Sequence, residues 1–187
     1  MRRYQRFLAE VELADGRRVT AHCPNTGSML GCQVPGSPVW LSAATSPGRK
    51  LAWTWELVEP ISGVRVGLHT GRGNALVREA IETGVAANLA GYAAIRAEVP
   101  YGQGSRIDFL LTAPERPECY VEVKNVTAAA EGGVALFPDA VTARGARHLD
   151  EMAAQVAQGK RAVVVFCVQR EDVTEVRPAD AIDPHYG

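Results

Sequence analysis

At 187 residues, with 47% hydrophobic and 22% charged side chains, the chain can bury one substantial core or two small ones and is too apolar to stay disordered. A net charge of −1 excludes a global attraction to nucleic acid, and no apolar run approaches the roughly 20 residues needed to span a bilayer. The charge is uneven: residues 1–66 balance at +3 and residues 67–187 at −4, compatible with one region touching phosphates and another gathering metal-binding carboxylates.

The N-terminus, MRRYQRFLAEVEL, is basic but reaches Glu10 and Glu12 before any signal-peptide core forms, which predicts a cytoplasmic protein. Residues 7–13 alternate loosely, Asp15 and Gly16 give a hairpin signal, and residues 17–22 read as the return strand. The loop HCPNTGSMLGCQVPGSP is dense in turn formers, and its segment from Pro24 to Gly27, Asn25 included, offers backbone N–H groups suited to a phosphate. Any tight turn offers as much. Residues 39–42, 51–58 and 64–68 supply further strands, with SPGRK as another turn. Five short strands suit a small Greek-key barrel of the oligonucleotide-binding (OB) type, and a sandwich fits nearly as well. Tyr4, Phe7, Trp53 and Trp55 are interleaved with Arg2, Arg3, Arg6, Arg49 and Lys50, the composition of a stacking platform for single-stranded nucleic acid. Trp53 and Trp55 share one strand face, which is equally the pattern of a core face. Cys23, Cys32, Cys119 and Cys167 are scattered, supporting neither a disulfide framework nor a zinc site.

Near residue 68 the pattern changes to α/β, so the expected boundaries are 1–66 and 67–187. Residues 74–83 are helical, with Leu76, Val77, Ala80 and Ile81 apolar and Gly84 as a stop. Glu79 lies beside that stripe, placed either as a further metal-shell carboxylate or as an ordinary solvated charge. Residues 95–99 form a strand, the YGQGS turn follows, and two more strands read over 107–111 and 120–126. AAAEGG is a flexible connection, and a helix runs over 142–158 with Leu149, Met152, Ala153 and Val156 on its apolar stripe. Arg144 and His148, one turn apart, can reach for a phosphate or face solvent. RAVVVFCVQ is a buried parallel strand, so the second part has a mixed sheet with a crossover. The tail from Arg177 carries two prolines and little core, and no helix-turn-helix is visible.

The chemistry concentrates in residues 106–127. Alternation puts Glu122 and Lys124 on one face of their strand, and Asp108 interrupts Ile107, Phe109 and Leu111. If the strands pair, two carboxylates and an ammonium converge in a spacing that holds a hard divalent cation and an activated water. Charges on the outer face of a half-buried strand are the ordinary alternative. Against it, Asp108 and Lys124 lie in strands apolar enough to be covered on both faces.

The residues then resemble the sugar fermentation stimulation proteins, through RYQRFLAEVEL, HCPNTGSMLGC, RKLAWTWEL, YGQGSRIDFLL, CYVEVKNVT, FPDAVTARGARHL and AIDPHYG. The resemblance implies an OB-like barrel followed by a domain similar to the PD-(D/E)xK nucleases, α/β with a mixed sheet. Carried onto matching positions, the nuclease signature falls on Asp108, Glu122 and Lys124, with Glu79 as the helix carboxylate. It also implies DNA as partner, a link to sugar-metabolism genes, and Mg²⁺ (or Mn²⁺) held by Asp108, Glu122 and Glu79. Family members continue with another helix and strand past the position of Gly187, which leads to the expectation of a truncated form. Three activities are in play: a metal-dependent nuclease, a DNA-binding regulator that keeps the fold without turnover, and a metabolite-binding module. The oligomeric state stays open, a homodimer included.

Overall fold

The computed structural model describes every residue except Pro47, Ser62 and Glu131, so parts of the SPGRK turn and the AAAEGG connection lie outside the described residues. Residues 1–67 form a six-stranded sheet from β1 (Arg2–Tyr4), β2 (Leu8–Glu12), β3 (Arg18–His22), β4 (Val39–Ala43), β5 (Trp53–Ile61) and β6 (Val64–Gly67). The order is β1-β2-β3-β5-β4, with β6 also on β5. Asp15 and Gly16 make the expected hairpin: Gly16 takes φ +82° and the Asp15 carboxylate accepts the Arg17 amide at 3.0 Å. β1 is a sixth strand beyond the five expected. Its turn back onto β2 passes through Gln5 and Arg6 at φ +48° and +62°, where sequence usually signals such a turn with Asn or Gly.

The inner face of this sheet buries Ala9, Val11, Ala21, Trp55, Val58 and Val66. The turn-rich loop after β3 closes over it with Cys23, Met29 and Cys32, all without exposed surface. Trp53 packs against the same cluster. The shared face of the two tryptophans is therefore the core face.

The second part begins with helix α1 (Thr70–Glu82), four residues earlier than expected. Gly71 and Gly73 weaken the helical signal of its first turn. Gly73 is buried against the sheet, where a Cβ would meet the Asn125 side-chain oxygen at 3.1 Å. A four-stranded mixed sheet follows, ordered β12-β9-β8-β7, from β7 (Ala94–Tyr101), β8 (Ser105–Ala113), β9 (Arg116–Val126) and β12 (Arg161–Val168). The first three are antiparallel and β12 runs parallel to β9. Helix α2 (Ala143–Ala157) makes the crossover, capped by Thr142 Oγ1, which accepts the Gly145 amide at 3.0 Å. Val77 and Ile81 of α1 pack on Phe109, Leu111 and Val121. Met152 of α2 packs on Tyr101, Ile107 and Leu110. The two helices thus cover opposite faces, and the fold is α/β with a mixed sheet.

Two expectations need correction. The buried stripe of α2 is Gly145, His148 and Met152, whereas Val156 is 52% exposed. The tail is also not idle: β10 (Ala129–Ala130), β11 (Val134–Phe137) and β13 (Glu175–Pro178) form a third sheet, in which β13 runs parallel to β11. Beyond it the Asp183 carboxylate accepts the Thr142 amide at 2.8 Å, and Tyr186 stacks edge-on against Phe137.

The two parts are stitched together. The Gly67 amide donates to the Gln169 carbonyl at 2.8 Å, Val66 bridges Arg170, and Asp139 accepts the Ser28 hydroxyl at 2.8 Å and the Met29 amide at 3.0 Å. Arg72 of α1 pairs with Glu56 of β5 at 2.7 Å. That guanidinium, helped by the Ser42 hydroxyl, holds the Glu56 carboxyl down to about 2 from its usual 4.5. A depressed carboxyl contributes stability above its unfolded value and loses it as acid protonates the folded state. Arg72 is 63% exposed, so screening limits the amount to on the order of 1 kcal/mol. Glu56→Gln should therefore flatten the acid limb of a pH–stability curve between about 4.5 and 2, read by denaturant unfolding. Among the described residues no helix is long and apolar enough to cross a membrane.

Candidate active site

Where β8 and β9 part, their paired register ends at Phe109 opposite Val121, and the Asp108 side chain fills the gap. One carboxylate oxygen accepts the Val123 amide at 2.7 Å and the other accepts the Asn74 side-chain amide of α1 at 2.8 Å. Burial pushes this carboxyl above its ordinary value, the Val123 hydrogen bond opposing the shift. On β9, Glu122 and Lys124 share a face, and the Lys124 Nζ donates to Glu122 Oε1 at 2.8 Å. Both side chains are nearly covered, at 7% and 12% exposure. His148 of α2 reaches the same oxygen through Nδ1, also at 2.8 Å. Glu122 Oε2 is buried and has no hydrogen-bond partner.

Above these groups opens a cleft of about 400 Å³ whose lining includes Glu98, Arg106, Asp108, Glu122, Arg144 and Arg147. Asp108, Glu122 and Lys124 are thus brought together, and Arg144 and His148 join them. Glu79 does not. It is exposed, five residues beyond Asn74 and so about 140° further round α1. The side chain that α1 offers to Asp108 is an amide, not the expected carboxylate. Among the described residues no three His, Cys, Asp or Glu side chains cluster closely enough for a metal ion by themselves. Two hard oxygen donors, one of them an orphaned buried oxygen, still fit a Mg²⁺-like ion, which ordinarily takes one or two carboxylates and completes its shell with water and phosphate.

Three features of the cleft escaped the sequence reading. Glu98 stands across β7–β8 from Asp108, since Ala97 faces Phe109 and Val99 faces Ile107. Its φ of +53° is strained for a non-glycine residue, the kind of cost found where a site fixes the backbone. Counting back from the YGQGS turn would have found it. Arg106 and Arg147 carry no motif. His148 is 4% exposed at the cleft lining, with Nδ1 on Glu122 and Nε2 beside Arg144.

The residues expected to touch nucleic acid scatter in role. Trp55 is fully buried and its indole N–H donates to the Leu57 carbonyl at 2.9 Å, so it offers no face to a base. Asn25 is buried and its side-chain oxygen accepts the Gly27 amide, spending that loop donor internally. Arg3 clamps the same loop through the carbonyls of Asn25 and Gly27 at 2.8 and 3.0 Å. Arg49 donates to the Thr54 hydroxyl at 3.1 Å. Arg2, Arg6, Arg49 and Lys50 are exposed. Arg6 and Arg3 line a second cleft, of about 480 Å³, between the loop and residues 137–142.

Comparison with known proteins places this geometry in a lineage. The SfsA N-terminal OB domain matches residues 1–67, and the sugar fermentation stimulation protein RE domain matches residues 71–187. The sugar fermentation stimulation protein homologs of Thioalkalivibrio sulfidiphilus and Geobacter sulfurreducens are 62% and 60% identical across all of this chain, which covers 78% and 79% of their lengths. The structure of Pyrococcus furiosus SfsA in complex with Ca²⁺ superposes with a TM-score of 0.87 at 28% identity, over 99% of this chain and 77% of that one. With both parts matched and this chain aligned to its relatives over its whole length, the chain belongs to the sugar fermentation stimulation protein family.

Proposed function

We propose that the chain is a cytoplasmic DNA-binding protein with a Mg²⁺- or Mn²⁺-dependent phosphodiesterase site of the PD-(D/E)xK type. The observation that carries this reading is the buried, unpartnered Glu122 Oε2 beside Asp108 and Lys124, beneath a cleft lined by three arginines. A divalent ion there supplies a more acidic bound water and a counter-charge for the phosphate. Asp108, fixed by Val123 and Asn74, and Glu122, fixed through Oε1, are the residues that would hold it. Lys124 sets a compact positive charge where negative charge develops on a scissile phosphate. Arg106, Arg144 and Arg147, on the lining of the cleft, would grip flanking phosphates. Ca²⁺ in the Pyrococcus furiosus protein supports a hard, oxygen-seeking cation in the fold. Four free thiols suit a reducing compartment.

One observation favours a second reading, a regulator that binds DNA without cutting it: α1 brings Asn74 rather than an acid to Asp108. The deciding experiment incubates the wild-type chain with single- and double-stranded DNA in Mg²⁺, Mn²⁺ or EDTA. Cleavage with either metal and none in EDTA is expected. Intact DNA in all three, with binding that falls linearly in log salt, would establish the regulator instead.

A further inference from the structure

We infer that His148 is the positioning residue of this site, holding Glu122 so that one carboxylate oxygen faces the cleft. The inference rests on reading Glu122 as a cation ligand. Glu122 Oε1 takes both available donors, Lys124 Nζ and His148 Nδ1, each at 2.8 Å, and Oε2 takes none. An asymmetric carboxylate of this kind has its rotation fixed by one oxygen and its charge presented by the other.

The imidazole is itself fixed. Arg144 Nε approaches His148 Nε2 at 3.4 Å, and a guanidinium only donates. Nε2 faces that donor and is the accepting nitrogen, which leaves Nδ1 to donate to Glu122. The chain of donors runs from Arg144 on the cleft wall through His148 to Glu122. The ring is 4% exposed on the buried stripe with Gly145 and Met152, so helix packing sets its position. Lys124 alone would hold Oε1 on a flexible four-carbon stem. Losing a group that orients a metal ligand typically costs about 10–100-fold in metal affinity.

Two variants separate orientation from packing. The side-chain N–H of His148→Asn falls where Nδ1 sits, whereas that of His148→Gln falls where Nε2 sits. Calorimetric titration with Mn²⁺ should find His148→Asn close to wild type and His148→Gln weaker by about 10–100-fold. Equal affinity in wild type and His148→Gln would overturn the inference while leaving the cation reading intact. Absence of Mn²⁺ binding to the wild type would overturn both. Should either variant fail to fold, nitrogen-15 resonances of wild-type imidazoles decide the matter: a His148 ring protonated on Nδ1 supports the role, and one protonated on Nε2 overturns it.

Discussion

Asp108→Ala and Lys124→Ala are each expected to lower metal-dependent cleavage of DNA by about a thousandfold, measured under single turnover. Charge stabilisation at a metal-assisted phosphate displacement amounts to several kcal/mol, and ~4 kcal/mol corresponds to roughly a thousandfold in rate. The two variants should differ in what else they disturb. Removing Asp108 strands the Val123 amide and the Asn74 side chain, costing about 1–3 kcal/mol of stability for a buried unpaired group. Removing Lys124 leaves Glu122 Oε1 its bond to His148, so Mn²⁺ should still bind while the rate falls. Wild-type rates in both variants would take these side chains out of the chemistry.

The second large effect is on the fold. Trp55→Ala should destabilise the chain by about 3–5 kcal/mol, a large share of the roughly 5–15 kcal/mol a native protein has in all. The indole is fully buried among Val58, Val66 and Leu68 and donates to the Leu57 carbonyl. The midpoint of urea unfolding should drop accordingly, while Trp55→Phe recovers part of the loss. A stacking tryptophan would behave in the opposite way, with DNA affinity lost and the midpoint unmoved.

How far the sequence was legible depends on whether a period or a phase decides the answer. Alternation placed Glu122 and Lys124 together on β9, because side chains of a strand have only two directions to take. Asp108 was legible as an interruption of Ile107, Phe109 and Leu111, and its chemistry follows from the desolvation that interruption implies. Helices are less forgiving. On α2 the apolar residues Leu149, Ala153 and Val156 drew the stripe, which rightly held Met152, away from Gly145 and His148, since a histidine counts as core only once its hydrogen-bond partner is known. On α1 the glycines hid only the turn before Asn74, and the stripe of Leu76, Val77, Ala80 and Ile81 drew attention to Glu79 rather than to the Asn74 amide that reaches Asp108. Trp53 and Trp55 could be placed on a common face from spacing, but which side of the sheet was wet depended on the loop carrying Cys23, Met29 and Cys32.

The seam between Gly67 and Gln169, continued by the Val66–Arg170 bridge and the Asp139 latch, makes the barrel and the α/β part thermodynamic hostages of each other. Neither can loosen without baring the other's backbone edge to water, and the latch from Ser28 to Asp139 ends three residues before the N-cap of α2 at Thr142. Two and six residues further along stand Arg144, which donates to His148, and His148, which holds Glu122.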